Sequence, residues 1–284
     1  MSAWIQPEPA NWWYVVDDAL QEDVGTGDVT GVCLDPDELV DWYIEAQGDG
    51  VLSGVGIVDY LFTPMPTDPD RAELSILKPD GERFSRGDRI AEGRLSGRRV
   101  VLVERTALNF LMHLSGVASL TAQFVERVAG SKARIVDTRK TLPNLRALQK
   151  YAVRCGGGGN HRMGLFDAAM VKDNHIRALG SITDAVAAVR SYASHMTKIE
   201  VECENADQVA EAVRAKVDVI LLDNMDPFTM REIVQEYQGK VLFEASGGIT
   251  LDTVRGVSQT GVDFISVGQL THSATASMFH LEIL

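Results

Sequence analysis

Ionisable and small polar residues recur at the carboxyl ends of short β-branched runs. These ends are Asp137-Thr138-Arg139-Lys140, Lys172-Asp173-Asn174, Glu200 with Glu202, Asp223-Asn224, Glu244-Ala245-Ser246-Gly247-Gly248 and Ser266-Val267-Gly268. Cations cluster on this set: Arg139, Lys140, His161, Arg162 and Lys172. An arginine fork suits bidentate binding of a carboxylate or phosphate, and a lysine acts as a point charge. Each charge-assisted hydrogen bond contributes about 1.5 to 3 kcal/mol, so several converging bonds hold a small polyanion. Glu202 and Asp223 close successive runs, where their carboxylates suit ribose hydroxyls or a hydrated Mg2+ bridged by a substrate's phosphate. Neither has a histidine partner at metal-binding spacing, which argues against a protein-only zinc site.

Glycines add a second anion site. Ser246-Gly247-Gly248 precedes a helix expected from about Thr250, which sets backbone N–H groups at a helix start, and Gly268 extends that cradle. The run Gly156 to Gly159, just before Asn160-His161-Arg162, is either a mobile loop or a place where backbone approaches a ligand closely. His113, His195 and His280 read as structural, and His175 and His272 stay open. No GxSxG elbow is present.

The elements that must position these residues follow from the hydrophobic period. Strands are expected at 133–136, 169–171, 198–201, 217–222, 240–244 and 263–267, with amphipathic segments between them. Ser181 with Asp184, Asn205 with Gln208, and Asp226 before Pro227 mark helix starts. Strand and helix in alternation predict a parallel sheet, and in a barrel the carboxyl ends of the strands build the active site. No GxGxxG follows the first strand, so a barrel-like closure is favoured over a dinucleotide-binding sheet. The earlier part of the chain reads as α+β, with a helix at 12–21, strands at 41–45 and 71–77, and a helix at 100–114. On that last helix Val100, Val103, Ala107, Phe110 and Leu114 form an apolar stripe, and Arg105 falls off it. All four tryptophans lie at or before Trp42 and seven of nine prolines at or before Pro79, which places a boundary near 110–120.

The whole-chain balance excludes some partners. In 284 residues, 27 Lys plus Arg face 40 Asp plus Glu, a formal net charge of -13. Neither nucleic acid nor an anionic membrane surface fits that excess. No uninterrupted apolar run reaches the roughly 18 residues that span a bilayer, and the first residues lack a secretory pattern, so the chain reads as unprocessed and cytoplasmic. Cys33, Cys155 and Cys203 are far apart without CxxC spacing and read as idle or buried thiols.

Nine strings stand in an order that resembles the quinolinate phosphoribosyltransferase family, also called carboxylating nicotinate-nucleotide pyrophosphorylases. They are EDVGTGDVT (22–30), ERTALNFL (104–111), DTRKTLPNLR (137–146), GGGGNHRMGL (156–165), KDNHI (172–176), IEVE (199–202), LLDNM (221–225), ASGGI (245–249) and VGQLTHS (267–273). The resemblance implies a type II phosphoribosyltransferase fold: an N-terminal α/β sandwich over 1–115, then an open, incomplete (β/α) barrel over 116–272, with 273–284 packing back on the first domain. It implies transfer of phosphoribose from phosphoribosyl pyrophosphate to quinolinate with loss of CO2, giving nicotinate mononucleotide for NAD biosynthesis, with Mg2+ as cofactor. Arg139, His161, Arg162 and Lys172 match the positions around the two quinolinate carboxylates. Arg105 matches an arginine that reaches the neighbouring subunit's site in a homodimer. Lys140, Glu202 and Asp223 match the phosphoribosyl pyrophosphate and Mg2+ positions, and Lys140, Lys172, Glu202 and Asp223 form the implied catalytic set. Ser246, Gly247, Gly248, Gly268 and His272 match the 5'-phosphate pocket. One departure is Asn144, where the family often has Gly. The alternatives are a paralogous phosphoribosyltransferase of the same fold, either molybdenum-operon pyrophosphorylase-like or nicotinate-using, and a barrel lyase forming a Schiff base at Lys172.

Overall fold

A computed structural model describes residues 5–63 and 72–284. It divides into two compact units. The first takes residues up to Ala122 together with Thr141–Gly157 and Leu270–Leu284; the second takes Gln123–Lys140 and Gly158–Gln269. This differs from a single boundary at 115/116. Residues 116–122 continue a helix of the first unit, and the chain returns to that unit over 141–157 and from Leu270 onward.

The first unit contains α1 (Trp12–Val24), β1 (Leu39–Ala46), β2 (Gly50–Val51), α2 (Val55–Phe62), β3 (Glu73–Ile76), β4 (Arg83–Phe84), β5 (Arg89–Ser96), most of α3 (Gly97–Arg127), α4 (Arg146–Cys155) and β12 (Phe279–Ile283). Its main sheet has the order β12-β1-β5-β3, and every pairing is antiparallel. Alternation in β1 buries Trp42, Ile44 and Ala46. Trp42 stacks on Phe62 of α2 at 4.3 Å between ring centroids. Of the strand expected at 71–77, Arg71 lies outside the described residues.

Helix α3 is longer than the 100–114 segment because the apolar stripe continues through Val117, Ala118 and Phe124, all buried. By length and composition alone it is apolar enough to cross a bilayer, although it carries charges that interrupt any single apolar run. Most of that stretch is buried inside the protein, as in a core helix. A polar network also lies in this unit's interior. The Tyr151 hydroxyl of α4 donates to Asp80 at 2.7 Å, and the Val55 N–H donates to the other oxygen at 3.0 Å. Burial pushes Asp80 up to about 6.

In the second unit six strands form one sheet: β6 (Arg134–Val136), β7 (Ala169–Val171), β8 (Ile199–Cys203), β9 (Val219–Asp223), β10 (Leu242–Ser246) and β11 (Phe264–Ser266). The order is β6-β11-β10-β9-β8-β7 and every pair is parallel. Thus β6 and β7, consecutive in the chain, are the two edges, and the sheet is open between them. Connecting helices are α5 (Asp173–Leu179), α6 (Ile182–Tyr192), α7 (Ala206–Arg214), α8 (Pro227–Glu236) and α9 (Val254–Ser258); α10 (Gln269–His272) follows β11. The expected starts are present: Ser181 accepts from Asp184 N–H, Asn205 from Gln208 N–H, and Asp226 from Phe228 and Thr229 N–H with Pro227 in the first turn.

Three strands run one or two residues past their expected ends. The apolar runs stop at Val201, Leu222 and Phe243, yet β8, β9 and β10 continue through Cys203, Asp223 and Ser246. The acids are therefore strand residues, with directions fixed by the pleat.

Candidate functional site

Period two puts Glu200 with Glu202, Leu221 with Asp223, and Glu244 with Ser246 on one face of the sheet. Register aligns Glu202 with Leu221, Leu221 with Glu244, and Asp223 with Ser246. At the carboxyl ends of these strands lies a pocket of 450 Å³. Arg139, Lys140, His161, Arg162 and Lys172 line it together with Glu202 and Asp223. Ser246, Gly247 and Gly248 line it as well. Gly268 follows β11 and is not in the lining, while Arg105 and His272 belong to the first unit.

The cations arrive through the open edge of the sheet. After β6 the chain passes through Asp137, Thr138, Arg139 and Lys140, and the last glycine of the run, Gly159, pairs in parallel with Val136. Gly159 N–H donates to Ile135 at 2.8 Å, and Asp137 N–H donates to Gly159 at 3.2 Å. Of the two readings of the glycine run, close backbone approach holds at Gly159, where the neighbour is the edge strand. His161 and Arg162 follow directly. Burial, and then the nearby charge of Arg139, hold the Arg162 guanidinium below its usual range. Two guanidinium groups whose charges oppose one another are suited to sharing one anion.

His161 sits differently from a simple substrate ligand. Its Nε2 lies 2.9 Å from Glu200 Oε2 and 3.5 Å from Glu244 Oε1, and its Nδ1 accepts from Arg162 N–H at 2.7 Å. Glu200 and Glu244 are 7% and 4% exposed, and Glu200 Oε1 and Glu244 Oε1 have no hydrogen-bond partner among the described residues. Burial, and then the charge of Glu200, push Glu244 up to about 7. Among the described residues these three side chains also offer ligand atoms within 4.8 Å of one another, the spacing of a cation site. Reading strand ends one by one does not reveal this cluster, because it joins β8, β10 and the segment after the glycine run. The signal present was the double acid of Ile199-Glu200-Val201-Glu202, which places two carboxylates on one face.

Lys172, the residue after β7, is ion-paired with Glu202. Asp223 accepts from Asn224 Nδ2 at 2.8 Å. The turn at 247 demands glycine. Its φ is +99°, and a Cβ would stand 2.2 Å from Asn224 Oδ1 and 2.9 Å from Asn224 N. The helix expected from Thr250 starts instead at Val254 and has five residues, so the cradle is a glycine turn rather than a helix N-terminus. Asn144 takes φ +62°, a left-handed conformation that asparagine tolerates, so the departure at this position keeps a turn that glycine also serves.

The remaining groups are structural. His113 contacts Gln149 at 2.9 Å and burial lowers its pKa. His175 Nδ1 accepts from Lys172 N–H at the start of α5. Cys155 and Cys203 are buried, which pushes both thiols up to about 12; Cys33 is exposed.

A pair of arginines, a pair of acids and a glycine turn on one open parallel sheet form a pocket suited to a small anionic ligand. Comparison with known proteins sharpens this class. Residues 28–115 match the N-terminal domain of quinolinate phosphoribosyl transferase, and residues 117–282 match its C-terminal domain. The chain is 41% identical over 263 residues to a probable carboxylating nicotinate-nucleotide pyrophosphorylase of Bacillus subtilis, covering 92% of this chain and 90% of that one. Solved structures of nicotinate-nucleotide pyrophosphorylases superpose closely. That from Ehrlichia chaffeensis has a TM-score of 0.90 at 37% identity, covering 96% of this chain and 98% of the other. That from Francisella tularensis has 0.89 at 35%, covering 96% of each. The chain belongs to the quinolinate phosphoribosyltransferase family.

Proposed function

We propose that this chain transfers phosphoribose from phosphoribosyl pyrophosphate to the ring nitrogen of quinolinate and releases CO2, giving nicotinate mononucleotide and pyrophosphate for NAD biosynthesis. The single observation that carries the site assignment is the convergence of Arg139, Arg162 and Lys172 opposite Glu202 and Asp223 in one pocket.

The chemistry divides between the two sides. Arg139, Arg162 and Lys172 hold the two ring carboxylates and fix the pyridine nitrogen for attack on C1 of the ribose. Lys172 exchanges Glu202 for the substrate carboxylate, which frees Glu202 to accept a ribose hydroxyl alongside Asp223. Lys140 faces the pyrophosphate, and Ser246, Gly247 and Gly248 receive the 5'-phosphate, with Gly268 extending that pocket. Positioning and electrostatic stabilisation of an oxocarbenium-like transition state are the protein's task. The alkylated ring nitrogen then acts as the electron sink for loss of the adjacent carboxylate. Glu202 and Asp223 are hard oxygen donors and suit Mg2+ held jointly with substrate phosphate. Bound there, Mg2+ neutralises charge on the departing pyrophosphate.

Arg105 acts in trans, in a homodimer. Its side chain is 60% exposed on α3, outside the apolar stripe, with Glu104 as an ion partner at 3.9 Å. The next residue, Thr106, lines a 740 Å³ cavity of the first unit rimmed by Asp18, Glu22 and Asp23. That acidic rim complements the cationic pocket of a second copy. Mixing inactive Arg105→Ala and Lys172→Ala proteins is expected to restore part of the activity, and no recovery rejects sharing.

The deciding experiment incubates the protein with Mg2+, phosphoribosyl pyrophosphate and quinolinate and looks for nicotinate mononucleotide and CO2. No product from quinolinate, with clean product from nicotinate, transfers the assignment to a nicotinate-using paralogue.

A further inference from the structure

Gln149 of α4 is fully buried, and both ends of its side-chain amide are engaged. Its Oε1 accepts the Leu142 N–H at 2.9 Å, and its Nε2 donates to the Thr271 carbonyl at 2.6 Å and faces His113 Nε2 at 2.9 Å. The two backbone partners fix the orientation of the amide, because an N–H must meet its oxygen and a carbonyl must meet its NH2 group. An apolar side chain of the same length fills this space and makes none of these bonds.

The partners of Gln149 stand at two particular places in the chain. The chain passes from the second unit to the first at 140/141 and again at 269/270. Leu142 and Thr271 are each the second residue after such a passage, and one amide holds both. Thr141 alone separates Leu142 from Lys140, and Thr141 is itself held, its Oγ1 accepting from Arg146 Nε at 3.1 Å. Thr271 belongs to the four-residue α10. The first residue of α10, Gln269, directly follows Gly268, and its Nε2 donates to the Ile249 carbonyl at 3.1 Å, next to the Ser246-Gly247-Gly248 turn. Gln149 is thus connected through a few residues to both phosphate-facing groups of the functional reading, Lys140 at one end and Gly268 with the glycine turn at the other. Its side-chain bonds go to residues 113, 142 and 271, whereas Arg162 and Lys172 lie on other segments.

We propose that Gln149 is a positioning residue for phosphoribosyl pyrophosphate: one buried amide fixes the two passages of chain next to Lys140 and Gly268, and so holds the spacing between the pyrophosphate and 5'-phosphate sites. A substrate with phosphate at both ends needs two anion sites at a set separation, and a side chain bonded to both segments keeps that separation without touching the substrate. The substrate assignment rests on the functional reading above; the clamp itself does not.

Two measurements test this. Gln149→Met keeps the length of the side chain and removes the amide. In amide hydrogen exchange without substrate, the Leu142 N–H is expected to exchange at least about tenfold faster in Gln149→Met than in the parent, and an unchanged rate overturns the clamp. In steady-state kinetics the same variant, folded by circular dichroism, is expected to raise the phosphoribosyl pyrophosphate KM about tenfold and the quinolinate KM less than about threefold. No rise for phosphoribosyl pyrophosphate, or an equal rise for both substrates as general loosening of the fold gives, overturns the proposal. Gln149→Glu separates the two bonds. It keeps an acceptor for Leu142 and sets an oxygen against the Thr271 carbonyl, so the Leu142 amide stays protected while the phosphoribosyl pyrophosphate KM rises about threefold or more. Should Gln149→Met not fold, Gln149→Glu decides, and an unprotected Leu142 amide or an unchanged phosphoribosyl pyrophosphate KM overturns the proposal. A parent that makes no product from quinolinate refutes the functional reading, and the Leu142 exchange rate still decides the clamp.

Discussion

Each unit buries a carboxyl group whose pKa is raised, and the two groups are treated differently. Asp80 in the antiparallel unit takes the Tyr151 hydroxyl on one oxygen and a backbone N–H on the other. In the parallel unit, Glu200 and Glu244 stand against one imidazole, and each keeps an oxygen with no hydrogen-bond partner among the described residues. A saturated buried acid ties elements together, whereas an unsaturated pair beneath a pocket costs stability. Folds tolerate that cost where the same atoms serve a site.

The largest test of this contrast is on the pocket itself. Arg139→Ala or Lys172→Ala is expected to lower kcat/KM for quinolinate by about a hundredfold or more with the fold intact by circular dichroism. Near-normal turnover in either variant defeats the site assignment. Next, Asp80→Ala removes the acceptor of the Tyr151 hydroxyl and of the Val55 N–H and is expected to cost about 2 to 3 kcal/mol in a denaturant titration, with activity per folded molecule unchanged. A loss of activity without loss of stability would erase the distinction between the units.

Glu244→Gln sharpens the comparison through pH. The folded pKa of Glu244 is raised from 4.5 to about 7, so between those values the folded state binds more protons than the unfolded state. Stability from this group is full below pH 4.5 and is lost as pH rises through 7. Glu244→Gln removes that slope and is expected to gain about 2 kcal/mol over the parent at pH 8 relative to pH 4.5, read from urea midpoints at both pH values. An identical pH profile for the two proteins shows that Glu244 is not buried as a proton carrier. The smallest effect belongs to the caps. Asn205→Ala is expected to cost about 1 kcal/mol and to leave both Michaelis constants unchanged.

What was legible in the residues depended on whether the relevant partner lay nearby in the chain. Capping at Ser181, Asn205 and Asp226 could be read directly, since donor and acceptor are two or three residues apart. The six parallel strands were legible from β-branched runs, but three of their ends were not. Glu202, Asp223 and Ser246 face a polar pocket, so the apolar pattern stops while the ladder continues. Ten of the pocket residues were found because they sit at strand ends or in motifs. Asp137, Glu200 and Glu244 were seen as charges without being assigned to the site. Their role depends on which strand lies beside which, and β8 and β10 meet His161 only through the sheet order. The return of 141–157 to the first unit had no local signal.

The order of that sheet also has a history in time. During synthesis β6 emerges long before the strand it pairs with in the sheet: Arg134 pairs with Phe264, and four other strands are made in between. One edge of β1 waits longer still, with Trp42 opposite Ile283, although its other edge pairs with β5. Such distant pairings slow folding and leave strand edges open to neighbouring chains. In β6 that exposure is short, three residues flanked by Lys132 and Asp137, and a brief, charge-flanked edge is a poor template for aggregation.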